Sequence, residues 1–390
     1  MRPFVARRRE AITRLTARLA SLALVVTPGV VAAQSNLSVQ GYGFPTGQLS
    51  TRANGTGGAI GEMDPLSPIN PAALGLLPSR ILFFQIEPEF RTVKTTGGAA
   101  DNTTTARYPV VFAAIPVAGK WVVSLGSSTL LDRTSSTSFS TTETLDNGES
   151  VGMRTTYRID GAMNDVQLAT AWTPLNWLRV GLGAHAIAGH NLVAVTQAFD
   201  DSTAFAPFAQ SRVLGFGGAA VSGGVQVVSK RFVAAGSARI GGGLNVSAGD
   251  TLISSARVPN RFGVSLGYIG IPNSTIAIRT SRDSWSSLGD LGSPQLHPVD
   301  AWDTSIGADV GGPRLGSQLV FLRAGFRVRT LPFQASDQTV SEKSVTAGIG
   351  TAFASNRVLA DFAVIRASRS ANLSASEHAW TLSFGIAVRP

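Results

Sequence analysis

The sequence has no cysteine, only 4 methionines and few charges, with 15% of its 390 residues being Asp, Glu, Lys or Arg. Without cysteine, a disulfide scaffold, a zinc ribbon, a thiol nucleophile and a cysteine-linked lipid anchor are all excluded. About a quarter of the residues in a soluble domain are normally charged, so the deficit argues against an ordinary water-facing surface. Long apolar runs are missing as well. Beyond the N-terminus no stretch approaches the roughly 18–20 residues that a membrane-crossing helix needs. What is abundant is glycine, 42 residues, together with serine and threonine. That balance points to a β-rich chain.

The formal net charge of +9 is concentrated at the start. Arg2, Arg7, Arg8, Arg9, Arg14 and Arg18 face a single acid, Glu10, so five of the nine net positive charges belong to this segment. An apolar stretch at Leu19–Val26 and the small residues Val31-Ala32-Ala33 before Gln34 complete a secretory signal pattern over residues 1–33. Export through a cleaved signal peptide is expected, and the basic composition is no argument for a nucleic-acid partner.

From residue 80 onward the hydrophobic period is two. Trp380, Leu382, Phe384, Ile386 and Val388 share one face, while Ala379, Thr381, Ser383, Gly385 and Ala387 share the other. Phe262, Val264, Leu266 and Tyr268 alternate in the same way with Arg261, Gly263, Ser265 and Gly267. Trp302, Thr304, Ile306, Ala308 and Val310 alternate with Asp303, Ser305, Gly307 and Asp309. One face is large and apolar, the other small or polar, as in a barrel with lipid outside and a crowded or wet interior.

The connections are of two kinds. Short turns fall at Val117–Lys120, Pro174–Asn176, Ser229–Arg231, Pro272-Asn273, Gly312–Leu315 and Ser355-Asn356. Longer polar loops surround 93–104, 134–160, 194–210, 248–256, 284–301, 331–340 and 370–375. Alternation of short and long connections is the two-ended asymmetry of an outer-membrane barrel. It predicts an all-β, transmembrane antiparallel β-barrel of about 14 strands over residues 80–390. The expected spans are 80–92, 105–116, 121–133, 161–173, 177–193, 211–228, 232–247, 257–271, 274–283, 302–311, 317–330, 341–354, 357–369 and 376–388. Within 211–228 the apolar residues switch from even (Leu214, Phe216) to odd (Val225, Val227) positions, which predicts a bulge there. Trp121, Trp172, Trp177, Phe232 and Phe353 lie beside short turns, and Trp302 and Trp380 toward the loop end, where aromatic girdles are expected.

Residues 34–79 do not alternate. They are rich in Gly, Pro and Asn, yet Ile60, Met63, Leu66, Ile69, Leu74, Leu76 and Leu77 make them too apolar for a solvated tail. A plug inside the barrel is expected. Gly57-Gly58-Ala59-Ile60, Asp64-Pro65 and Asn70-Pro71-Ala72-Ala73-Leu74 resemble the N-terminal hatch of the FadL-type outer-membrane transporters and the related PorV-like proteins. The resemblance implies a fourteen-stranded barrel whose hatch residues include Gly57, Gly58, Asp64, Asn70, Pro71 and Ala72. It implies passive uptake of small hydrophobic or amphipathic molecules such as long-chain fatty acids. The alternative it implies is a PorV-like role in protein secretion or surface attachment, with secreted proteins as partners. Two features depart from the pattern: the chain ends Val388-Arg389-Pro390 without an aromatic residue, and the external loops are short.

Other chemical motifs dissolve on inspection. Gly263-Val264-Ser265-Leu266-Gly267 has the nucleophile-elbow spacing but lies inside an alternating strand. Gly215-Phe216-Gly217-Gly218-Ala219-Ala220 fits a dinucleotide fingerprint, yet no helix follows it. His185 and His190 are expected on opposite faces of one strand, and with His297 and His378 they give no metal-ligand spacing. No Ser/His/Asp constellation is expected at the external strand ends, so no enzyme, cofactor or metal is predicted. The remaining charges should line the lumen: Glu87, Glu89, Asp165, Asp303, Asp309 and Asp361, with Arg179, Arg239, Arg261, Arg279, Arg323, Arg327 and Arg329. Mutual pairing and anchoring of the plug is one expected role. The other is that Arg323, Arg327 and Arg329, on one face of one strand, attract an anionic head group.

Overall fold

The structure, a computed structural model, describes residue 39 and residues 42–95, 101–144, 150–200, 205–291, 298–316, 318–334, 338–371 and 375–390. The expected signal peptide 1–33, the first residues of the expected plug and His297 lie outside the described residues.

Alternating side chains and short turns give a closed antiparallel barrel of fourteen strands. In chain order these are β1 (Ile81–Thr95), β2 (Asp101–Arg107 and Val110–Ala118), β3 (Trp121–Asp132 and Ser135–Thr144) and β4 (Ser150–Leu175). Then come β5 (Leu178–Phe199), β6 (Phe208–Val228), β7 (Phe232–Ala248), β8 (Thr251–Arg257 and Arg261–Tyr268) and β9 (Ser274–Asp283). The last five are β10 (Ala301–Leu315), β11 (Gln318–Thr330), β12 (Ser341–Phe353), β13 (Val358–Ser370) and β14 (Ala375–Val388). Each strand pairs with its neighbours in sequence, and β14 closes the ring on β1 from Val388↔Leu82 to Ala375↔Thr95. Closure leaves no sheet edge, which is what a strand-built wall in lipid requires. Pro109 and Pro259, which carry no amide hydrogen for the ladder, sit in the interruptions of β2 and β8.

The period-two faces are where the sequence places them. On β14, Trp380, Phe384 and Ile386 are 49%, 42% and 51% exposed, while Ala379, Ser383 and Ala387 are buried. Trp121 and Trp172 stack on the outer wall at 5.7 Å, on neighbouring strands beside short turns.

Three expectations change. The stretches 134–160 and 194–210, read as loops, are largely strand: β4 runs for 26 residues and β5 for 22. Ser135–Thr144 is almost wholly Ser and Thr, so both faces are polar and the hydrophobic alternation vanishes. The backbone ladder needs no such alternation, and Thr favours extended backbone. These strands far exceed the roughly 9–11 residues that a bilayer needs. The region 248–256 is likewise a tight turn and the start of β8. Finally, β6 carries no bulge in its pairing with β5. Phe216 faces inward, and Leu214 packs against the same buried apolar cluster with Leu244 and Val258, so the change of pattern marks a greasy patch inside the wall. The extra residue is on β7, where Gly241 pairs with Ala220 but Leu244 with Gly218.

Candidate functional site: the lumen and the N-terminal segment

The described part of 34–79 forms short elements: a two-residue strand Phe44–Pro45, helix α1 (Thr51–Gly55), and 3-10 turns Gly61–Met63 and Pro71–Leu76. Ser50 caps α1 by accepting from the Ala53 amide at 3.1 Å. Gly57 and Gly58 take φ values of +67° and +93°, which L side chains avoid, and so reverse the chain directly after α1. Asn70 caps the second 3-10 turn, accepting from Ala72 N at 3.0 Å and donating to the Glu62 carbonyl at 2.7 Å. Pro71 is the first residue of that turn, where its missing amide hydrogen costs nothing. Asp64 accepts from the Ser67 hydroxyl at 2.8 Å and from that of Ser50. Ala72 is fully buried.

These elements lie against the inward faces of the strands, and the small wall residues explain how closely. A Cβ on Gly224 of β6 would stand 1.9 Å from Asn70 Oδ1, and one on Gly181 of β5 would stand 2.4 Å from the Pro71 carbonyl carbon. On β10 and β11, side chains at Gly307 and Gly325 would meet the Thr56 backbone at 2.1 Å. Gly263 faces Glu62, and the Ser265 hydroxyl donates to the Ala59 carbonyl at 3.2 Å. The apparent nucleophile elbow is therefore a strand stripe shaped by its occupant. The glycines at 215–218 likewise lie within β6.

Around this contact runs a belt of ion pairs. Glu62 is fully buried and accepts from Arg261, from Arg279 at 3.4 Å and from the Ser237 hydroxyl at 2.6 Å. Burial alone would raise its pKa; the guanidiniums of Arg261 and Arg279 reverse the sign and hold it below the usual carboxylate value. Arg279 continues to Asp303 at 3.0 Å, which Arg327 grips with two bonds of 2.8 and 2.6 Å. Arg323 pairs with Asp309 at 3.2 Å and Asp361 at 2.7 Å, and Asp309 also holds Arg52 of α1 at 2.9 Å. Arg329 pairs with Glu342 at 2.6 Å and donates to the Pro45 carbonyl at 3.1 Å. Glu87 accepts from Asn54 at 2.6 Å, and Asp165 accepts from Gln48 at 3.0 Å and Arg239 at 3.3 Å. Arg323, Arg327 and Arg329, singled out from the sequence, thus share one strand and already have carboxylate partners.

Sequence reasoning missed the most connected members. Arg369 bonds to Glu89, Glu342 and Glu377, and Arg107 bridges Glu89 and Asp132 at 2.6 Å each. Parity would have found Arg91, two residues beyond Glu89, and Arg369, an even number of residues beyond Asp361. Glu62 had no such signal, because nothing in a non-alternating segment tells which side chain meets the wall.

Two further features complete the lumen. His185 is buried and His190 exposed, so they point to opposite sides of the wall. His185 bridges Asp165 at 2.7 Å and the Ser222 hydroxyl at 2.8 Å, a Ser/His/Asp chain in mid-wall rather than at the external ends. Its serine lies in a continuous ladder between β5 and β7, whose backbone amides are not free to hold an oxyanion. At the turn end a cavity of about 400 Å³ opens beneath the N-terminal segment, lined by Ile60, Met63, Leu76, Val233 and Ile269, and by Arg179, whose buried Nε and Nη1 have no hydrogen-bond partner among the described residues.

The closed fourteen-stranded barrel has counterparts among solved structures. The chain is similar to the P. putida toluene transporter TodX, at 12% identity over 90% of this chain and 99% of that one, with a TM-score of 0.55. It is also similar to the CymD monoaromatic hydrocarbon channel, at 13% identity over 88% and 97%, with a TM-score of 0.52. Its fold is that of the FadL-type barrels. No family model and no curated protein matches the sequence. The FadL-type architecture therefore rests on strand number, closure and coverage, with 12–13% identity left in the residues themselves.

Proposed function

We propose that the protein is an outer-membrane channel for passive entry of small hydrophobic molecules, exported by its leader and closed by residues 34–79 acting as a plug. The observation that carries the reading is a fourteen-stranded wall of the hydrocarbon-channel fold whose inward glycines are matched to that segment. The plug is held by ion pairs and hydrogen bonds as well as by apolar packing of Leu49, Ile60, Met63, Leu66 and Leu74 against the wall. Polar contacts of this kind can be exchanged for water as the segment shifts, while the ladder keeps the wall intact. An anionic head group drawn to Arg323, Arg327 or Arg329 would have to displace Asp303, Asp309, Asp361 or Glu342. We therefore assign these arginines to holding the lumen closed, which favours uncharged ligands.

The test uses whole Gram-negative cells, because their outer leaflet is the barrier at issue. Cells expressing the protein should take up the hydrophobic fluorophore N-phenylnaphthylamine faster than vector-only cells, with unchanged entry of a hydrophilic antibiotic. Equal uptake of the fluorophore at confirmed surface expression would refute the channel.

A further inference from the structure

Phe44 occupies an unusual place in the lumen. The guanidinium carbons of Arg107, Arg329, Arg369 and Arg91 stand 4.5, 4.7, 4.7 and 5.5 Å from its ring centroid. These arginines come from β1, β2, β11 and β13, so the wall surrounds one ring of the N-terminal segment with four cations.

The cage does not depend on Phe44 for its shape. Arg329 and Arg369 both hold Glu342 at 2.6 Å, Arg369 and Arg107 share Glu89, and Arg107 holds Asp132. Carboxylates engage the guanidinium edges and leave the planar faces for a π-system. Among the described residues, buried Nη1 and Nη2 of Arg91 and Nη2 of Arg107 have no hydrogen-bond partner, and both guanidinium carbons stand within 5.5 Å of the ring centroid. An empty cage would leave four guanidiniums without the ring they surround, which disfavours a vacancy and favours exchange of one ring for another.

We propose that this four-arginine cage is a binding site for a monoaromatic ring, filled by the chain's own Phe44 until an aromatic ligand takes its place. The void beside the ring is about 40 Å³, whereas a cavity that holds benzene is about 150 Å³. A ligand therefore enters only as Phe44 leaves. Gly43 and Gly47, on either side of the two-residue strand, have φ of +137° and +83°, and departure of Phe44 has to break the strand's short pairing with Leu131 and Asp132 of β3. Ring-for-ring exchange keeps the cation–π contacts, so ligand concentration sets occupancy. A saturated ring has no quadrupole to offer and loses them. Displacement of Phe44 also frees the backbone that Arg329 holds at Pro45, which links arrival of an aromatic molecule to loosening of the segment. The physiological sense of this site rests on the channel reading, but its test does not.

The experiment measures binding of toluene and methylcyclohexane to the purified full-length protein by headspace partition, against detergent alone. Phe44→Ala opens the cage, and Phe44→Leu keeps it filled with an aliphatic group in case the smaller residue impairs folding. In both variants toluene should bind at one site per chain at least ten-fold more tightly than methylcyclohexane, and wild type should bind toluene more weakly than Phe44→Ala. Equal affinity for the two ligands, or no toluene binding by variants that retain the barrel's circular dichroism, would overturn the proposal. Toluene binding with no uptake in cells would instead refute the channel reading alone.

Discussion

Glu62→Gln is the most informative single change, because one buried carboxylate joins the N-terminal segment to β7, β8 and β9 through Ser237, Arg261 and Arg279. The substitution keeps the shape and removes the charge. Breaking a buried pair by removing one partner costs about 3–5 kcal/mol, since the other charge is left uncompensated. Arg279 keeps Asp303 at 3.0 Å, and Arg261 keeps the Ser237 hydroxyl at 3.0 Å and the nearby charge of Asp283, so the lower figure, about 3 kcal/mol, applies. None of that energy comes from the strand ladder. It should fall on docking of the segment and raise the undocked population roughly a hundredfold. The assay is limited trypsinolysis at Arg52 in the folded protein, followed by mass spectrometry, with planar-bilayer conductance in parallel. Faster cleavage and more frequent opening events are expected, with unchanged barrel circular dichroism. Arg261→Gln added to Glu62→Gln should cost less than the sum of the two changes, because no charge is then stranded. Unchanged cleavage and conductance in the single variant would refute the reasoning.

The wall and the pH dependence give two more tests. Gly224→Ala places a Cβ where Asn70 Oδ1 lies, so the cap and its bonds to Ala72 and Glu62 should be lost at a cost of about 1–3 kcal/mol; a lower thermal midpoint and faster cleavage at Arg52 are expected, and an unchanged midpoint would contradict the contact. Because the folded pKa of Glu62 is depressed, its contribution is fully present above the unfolded carboxylate value near pH 4.3 and is lost as pH falls through the lower folded value. Conductance should thus rise on acidification below about pH 4, and Glu62→Gln should make that rise smaller.

Much of the fold was legible because a lipid-facing wall writes itself twice, in alternation along β14, β8 and β10 and in the placement of turns. Legibility failed where neither side of a strand meets lipid or a core. Ser135–Thr144 continues the ladder with polar residues on both faces, and its extent could not be read from hydropathy. Phe216 misled in the opposite sense, as an apolar side chain turned inward onto an apolar patch. Inward charges were found by parity, but their partners depend on contacts between residues far apart in sequence, such as Arg239 with Gln48, that spacing along one chain does not encode. The clustering of Ser222, His185 and Asp165 was hidden for the same reason: three adjacent strands align residues that no motif links.

The wall glycines carry one more consequence. Because Gly181, Gly224, Gly307 and Gly325 are hollows cut for Pro71, Asn70 and Thr56, barrel and N-terminal segment are one inheritance unit. A chimera that joined this barrel to the corresponding segment of a distant relative would bring ridges to the wrong grooves. Change on one side of the contact is confined to what the other tolerates, even at positions that never meet a passing molecule. Divergence in such a protein is therefore expected to run freely over the lipid face and the outer strand extensions, and in matched pairs along this seam.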